Sequence, residues 1–89
     1  MVYLIHFNEK LHHAQHYIGF TNNRIEERIK FHRSGKGARI LKALNERGIG
    51  YSVVRTWEGG WELERKLKKQ KKARAFCPTC RLIDGKEKL

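Results

Sequence analysis

Apolar residues recur along this chain with two periods. Residues 2–7, Val-Tyr-Leu-Ile-His-Phe, are almost unbroken β-branched, aliphatic and aromatic, a composition that favours a strand. His16-Tyr17-Ile18-Gly19-Phe20 reads as a second strand. The polar, histidine-containing stretch Asn8–Gln15 between them predicts an antiparallel pair joined by a loop. If Tyr3 lies roughly opposite Gly19, two-residue alternation puts Tyr3 and Tyr17 on one face. Gly19 then leaves an open space beside Tyr3; a bulge or plain close packing are its other readings.

The period then lengthens. Asn23 is a good N-cap, with Glu26 three residues on in a capping-box arrangement. A helix from there is expected to run to about Arg33 and stop at Ser34-Gly35. On its wheel Ile25, Arg28, Ile29 and His32 share one arc of about 100°. Arg28 and His32 therefore lie along the stripe that the isoleucines bury. An arginine at a buried edge needs an anionic partner, and either an internal glutamate or a bound phosphate supplies one. A second helix, Ala38–Arg47, opens after Gly37, buries Ile40, Leu41 and Leu44, and stops at Gly48. Tyr51–Trp57 reads as a third strand, Glu58-Gly59-Gly60 as a turn, and Trp61–Ala73 as a third helix. Leu63 and Leu67 mark its buried stripe, Glu64 sits at the edge, and Lys66, Lys68, Lys69, Lys71 and Lys72 cover much of the rest. Beyond it Phe76, Leu82 and Ile83 are expected to pack back, and Gly85–Leu89 to fray.

Charge changes this picture most. Lys+Arg number 20 and Asp+Glu 9, a formal net charge of +11 on 89 residues. Such a surplus, concentrated in helices, points to a polyanionic partner, with DNA expected and RNA left open. No apolar run approaches the ~20 residues that span a bilayer, and no signal peptide precedes the first strand. The expectation is one cytoplasmic domain with a core over residues 1–73 and an extension over 74–89. That extension carries Cys77-Pro78-Thr79-Cys80. A tetrahedral zinc site needs four ligands and would require help from His6, His12, His13 or His16, or from a second chain. A packed or incidental cysteine pair is the reading favoured. Ser34-Gly35-Lys36-Gly37 lacks Walker spacing and ending. Amides at the following helix start, with Lys36 and Arg39, either contact phosphate or form a solvated connector.

Tyr3, Tyr17, Arg28, His32 and Glu64 are two phenols, a guanidinium, an imidazole and a carboxylate, all set within the apolar framework. Their order resembles the GIY-YIG nuclease superfamily. Tyr17-Ile18-Gly19 matches its second signature, while Met1-Val2-Tyr3 keeps the tyrosine of the first without its glycine. Ile25–His32 resembles the helix bearing an Arg and a His four residues later, and Leu63–Lys69 the helix of the metal-binding glutamate. Many relatives carry an Asn beyond that helix where this chain has Phe76. The resemblance implies an α+β fold with a three-stranded antiparallel sheet packed between helices. It also implies a single-metal phosphodiester hydrolysis using Mg²⁺ or Mn²⁺.

On that basis Glu64 holds the ion, Arg28 clamps the scissile phosphate, and Tyr3 acts as general base or positions the water. Tyr17 orients phosphate or water, and His32 shares in proton transfer. A free phenol, with a pKa of about 10, is too weak a base at neutral pH; Arg28 and its basic surroundings are expected to lower that value. The space over Gly19 suits a phosphate, and Lys36, Arg39, Lys66 and Lys69 are candidates for backbone contacts. The expected activity is endonucleolytic cleavage of DNA with low sequence specificity or selection for a branched or flapped shape. The alternatives are a non-catalytic nucleic-acid-binding module on the same fold, an exposed Glu64–Lys68 helix pair in place of a metal site, and a zinc-stabilised adaptor.

Overall fold

The first strand is longer than its apolar core. In the computed structural model, which describes residues 1–87 and side chains through residue 82, β1 spans Val2–Leu11 and β2 spans Ala14–Phe20. The expected polar loop is thus a continued hairpin with a tight His12-His13 turn, His12 taking a left-handed φ of 57°. Leu11 pairs with Ala14 across it, after an irregularity beyond His6. The central strand β1 also pairs with β3, Tyr51–Trp57, giving an antiparallel sheet in the order β2-β1-β3.

Two layers of helix cover the sheet. On one face Tyr3, Ile5, Phe7 and Leu11 pack with Leu41, Leu44 and Tyr51, together with Ile25 and Ile29. Ile25 and Ile29 come from α1 (Ile25–Arg33), and Leu41 and Leu44 from α2 (Arg39–Glu46). On the other face Val2, Leu4 and Ile18 pack with Leu63 and Leu67 of α3 (Trp61–Gln70). The residues after α3 join this second core. Phe76 packs there from α4 (Ala73–Phe76), Cys80 from α5 (Pro78–Glu87), and Cys77 from the position between them. Ordinary alternation sends neighbours Val53 and Val54 to opposite cores, and the register shift between Leu4 and Ile5 leaves Val54 as the extra, unpaired residue of a bulge in β3. This is the layered α+β arrangement expected from the sequence.

Several local expectations give way to stronger interactions. Helix α1 begins at Ile25 with Arg24 as an N-cap that makes no side-chain capping bond, not at Asn23. The Asn23 N–H donates instead to Thr21 Oγ1 at 3.0 Å, so a hydroxyl turn replaces the capping box. Helix α3 stops at Gln70 because Lys71 turns left-handed with φ 52°. Phe76 packs edge-on against Trp57, with centroids 5.9 Å apart, whereas Leu82 is exposed. The side chain of Ile83 lies outside the described residues. The backbone is helical through Glu87 where fraying was expected, and Lys88 and Leu89 lie outside the described residues. The cysteine pair is not incidental either. His6 and His16, partners across β1 and β2, converge on Cys77 and Cys80.

Candidate active site

Hairpin register builds the centre of the site. Tyr3 faces Gly19 and Ile5 faces Tyr17, so both phenols rise from the same side of the sheet, with ring centroids 6.3 Å apart. The sequence predicts an empty space over Gly19. The structure fills it with the Tyr3 phenol, whose Cζ and Oη occupy the position a Cβ would need, with Tyr17 Cε1 at 2.8 Å. Gly19 therefore admits a tyrosine of its own chain, which corrects the expectation of a free phosphate pocket there. Gly19→Ala is expected to lose about 1–3 kcal/mol of stability by overpacking and to displace both phenols. Urea unfolding reads the first effect, and wild-type stability in the variant would show that the close approach is not obligatory.

One turn apart on α1, Arg28 and His32 meet Tyr3 from the side. The Tyr3 Oη lies 2.8 Å from His32 Nε2 and receives a 3.3 Å hydrogen bond from Arg28 Nε. The Ala38 amide donates to His32 Nδ1 at 3.4 Å. An imidazole that accepts at Nδ1 carries its proton on Nε2 when neutral, so His32 donates to the phenol oxygen. Gly37 closes over the same ring, where a Cβ would collide with Nδ1. His32 is completely buried.

Burial, with the Arg28 charge adding to it, lowers the His32 pKa to about 4. Its expected part in proton transfer near neutrality is therefore corrected: the ring is neutral, enclosed and bonded at both nitrogens. The unfolded chain binds this proton below about 6.5 and the native one only near 4. Stability from His32 is thus complete above the first value and lost as pH falls toward the second. Urea midpoints at pH 7 and pH 4.5 are expected to differ more in wild type than in His32→Gln. Equal differences would remove His32 as the source.

Burial also raises the Tyr3 phenol above its ordinary pKa. The Arg28 hydrogen bond and charge pull it down, and Tyr17 and Glu64 push it up. The expectation that Arg28 leaves Tyr3 unusually acidic is thereby corrected, because desolvation is the larger effect. Tyr17 is raised too, by burial first and then by Glu64, with Arg28 and the Tyr3 hydroxyl acting against them. The two phenols differ in access, since Tyr3 has 0% exposure and Tyr17 is only half-buried.

From the other face of the sheet, α3 reaches the edge of β2. Glu64 raises both phenols, and its Oε1 lies 3.3 Å from Lys68 Nζ. The pair exists, but not as a freely solvated one: its side chains are 20% exposed at Glu64 and 47% at Lys68. The Lys68 ammonium also stands 5.5 Å over the Tyr17 ring. A shallow groove of about 270 Å³ runs beside Tyr17, Lys68 and Lys71. Arg28 is half-buried over the exposed Phe31 ring at 5.1 Å. Among the described residues no carboxylate pairs with Arg28, so the internal-glutamate explanation fails; its guanidinium donates to Tyr3 and lies over Phe31.

Residues 1–76 match the family model of the GIY-YIG catalytic domain. The chain belongs to the GIY-YIG nuclease family. No curated protein and no solved structure matches it. GIY-YIG nucleases are generally dependent on a divalent metal. Glu64 is itself a hard oxygen donor, and one such carboxylate would hold a single small ion that keeps water in most positions. A single carboxylate does not build a two-metal site. The His6, His16, Cys77 and Cys80 group is a softer donor set and does not identify Mg²⁺ or Mn²⁺.

The basic candidates divide between surfaces. Lys36 and Arg39 are exposed in the connection and helix start beyond His32. Lys66 and Lys69 lie about 140–160° around α3 from Glu64, lining a separate depression with Trp61 and Arg65. They do not line the groove beside Tyr17 and Lys68. Sequence reasoning gave Lys68 only the role of a helix pair. Its four-residue spacing from Glu64 was the available signal, but the Tyr17 ring beneath it comes from another element.

Proposed function

We propose that this GIY-YIG protein is a metal-dependent endonuclease that hydrolyses DNA phosphodiester bonds, with low sequence specificity or selection for a branched or flapped shape. One observation carries this reading. A guanidinium without a carboxylate partner among the described residues and a poorly exposed carboxylate act on the same two phenols.

Arg28 binds the scissile phosphate and stabilises the charge that grows on its oxygens. Lys36, Arg39 and Lys68 hold the flanking backbone without reading sequence. Glu64 is the ligand for Mg²⁺ or Mn²⁺, which when bound supplies Lewis-acid charge to the phosphate and the leaving 3′ oxygen. The half-buried Tyr17 is the phenol nearest the attacking water. It takes a proton from that water and passes its own inward to Tyr3. The Tyr3 phenolate is the better resting place for negative charge, because His32 Nε2 and Arg28 Nε both donate to that oxygen. His32 is a positioning residue that fixes Tyr3 and does not touch substrate.

The binding module has specific support as a second reading. Tyr3 is wholly enclosed, and Phe76, where many relatives carry an Asn, is committed to packing on Trp57. Nicking of supercoiled plasmid with Mg²⁺, Mn²⁺ or chelator separates the two. The nuclease converts plasmid to open circles only with metal. Binding without cutting on plasmid, flapped, branched and RNA substrates would establish the module.

A further inference from the structure

The geometry assigns a second metal site: a structural zinc centre held by His6, His16, Cys77 and Cys80, on the sheet face opposite the tyrosines. The ligand atoms lie within 4.8 Å of one another. Cys77 Sγ is 3.5 Å from His6 Nδ1, Cys80 Sγ is 3.6 Å from His6 Nδ1, and Cys80 Sγ is 3.3 Å from His16 Nε2. The two imidazole nitrogens are 3.4 Å apart. Tetrahedral zinc, with Zn–S of about 2.3 Å and Zn–N of about 2.0–2.1 Å, requires S···N edges of about 3.6 Å and an N···N edge of about 3.4 Å. These four of the six edges fall within a few tenths of an ångström of those of that polyhedron, and the other two, both from Cys77 Sγ, lie within 4.8 Å.

Hydrogen bonding alone does not account for the cluster. His6 Nδ1 stands within bonding distance of three atoms at once: Cys77 Sγ, Cys80 Sγ and His16 Nε2. A ring nitrogen has one proton or one lone pair in its plane, so it satisfies one of them. A central cation satisfies all four groups together, taking one lone pair from each. Two thiolates also neutralise Zn²⁺, leaving no net charge to bury. Cys77 and Cys80 are buried at 0% and 1% exposure. Arg74 Nη1 donates to Cys80 Sγ at 3.8 Å, an outer bond of the kind that supports a thiolate ligand.

The site is closed, since four protein ligands complete the tetrahedron and no position remains for substrate, which marks a structural centre. Its ligands come from β1, β2 and the segment around the start of α5, bridging 74 positions between His6 and Cys80. Zinc therefore fastens the C-terminal helices to the hairpin and fixes His16, the chain neighbour of Tyr17.

Elemental analysis of the purified chain is expected to find one zinc per monomer, retained in Glu64→Ala and lost in Cys77→Ser/Cys80→Ser. Because that double variant can fail to fold, wild type is also read directly. Stripping with a strong chelator is expected to lower Tm by about 15 °C or more, restored by one equivalent of Zn²⁺ and not by Mg²⁺. Co²⁺ substitution is expected to give thiolate-to-cobalt charge transfer and the intense visible bands of a tetrahedral ion. A chain that retains no zinc, keeps its Tm under chelation and gives no such bands would overturn the assignment. So would one zinc shared by two chains.

Discussion

Glu64→Ala is expected to lose plasmid nicking by roughly 10³-fold or more while retaining affinity for the same DNA. Glu64 is the carboxylate that acts on both phenols, so its loss removes both the proposed ion ligand and the anion that balances Lys68. In the proposed reading affinity rests elsewhere, on Arg28 and the basic surface, and the substitution raises the formal net charge from +11 to +12 by removing one negative group. Binding is therefore expected to hold or strengthen slightly, more so at low salt. Lys68→Ala serves as the companion. It breaks the 3.3 Å pair and leaves the carboxylate in place, so metal-dependent cutting survives with weaker binding. If cutting and binding fell together in Glu64→Ala, with a lower Tm, the carboxylate would be a structural group and the metal assignment would fail.

The site was legible where local rules decide it. Tyr3 lies opposite Gly19 and shares a face with Tyr17 because a hairpin with one buried face tolerates no one-residue slip. Arg28 and His32 meet Tyr3 because four residues on a helix return to the same side. What escaped the sequence depends on partners from distant segments. Nothing near Gly19 says whether its gap holds a ligand or a side chain; the ring that fills it starts sixteen residues earlier on β1. The low pKa of His32 comes from burial under Gly37 and Ala38, and the high pKa of Tyr3 from enclosure that outweighs a visible arginine. Lys66 and Lys69 looked equivalent to Lys68 by charge, yet only Lys68 turns toward Tyr17. Which of His6, His12, His13 and His16 would join the cysteine pair could not be read for a related reason. His6 and His16 sit ten residues apart on two strands and meet the cysteines only through tertiary packing.

Tyr3→Phe is expected to lower cleavage by about 10²–10⁴-fold, the usual worth of a positioned acid–base group, and also to destabilise the fold. Deleting Oη leaves the enclosed His32 Nε2–H without an acceptor, at a cost of about 1–3 kcal/mol; Arg28 is half-exposed and can turn to water. The chemical loss is separated from the structural one by pH. A phenol serves as base only when ionised, and the Tyr3 pKa lies above its ordinary value. Wild-type single-turnover cleavage should therefore keep rising with pH through the alkaline range, tenfold per unit, without levelling near 10. That slope should vanish in Tyr3→Phe. Tyr17→Phe interrupts the same transfer one step closer to solvent, so it should flatten the profile too without orphaning His32. The double variant should then be little slower than the worse single one, because both break one relay. Multiplicative losses would assign the two phenols independent roles. A Tyr3→Phe enzyme that cuts at the wild-type rate with an unchanged slope would reduce Tyr3 to a core tyrosine and move the base elsewhere.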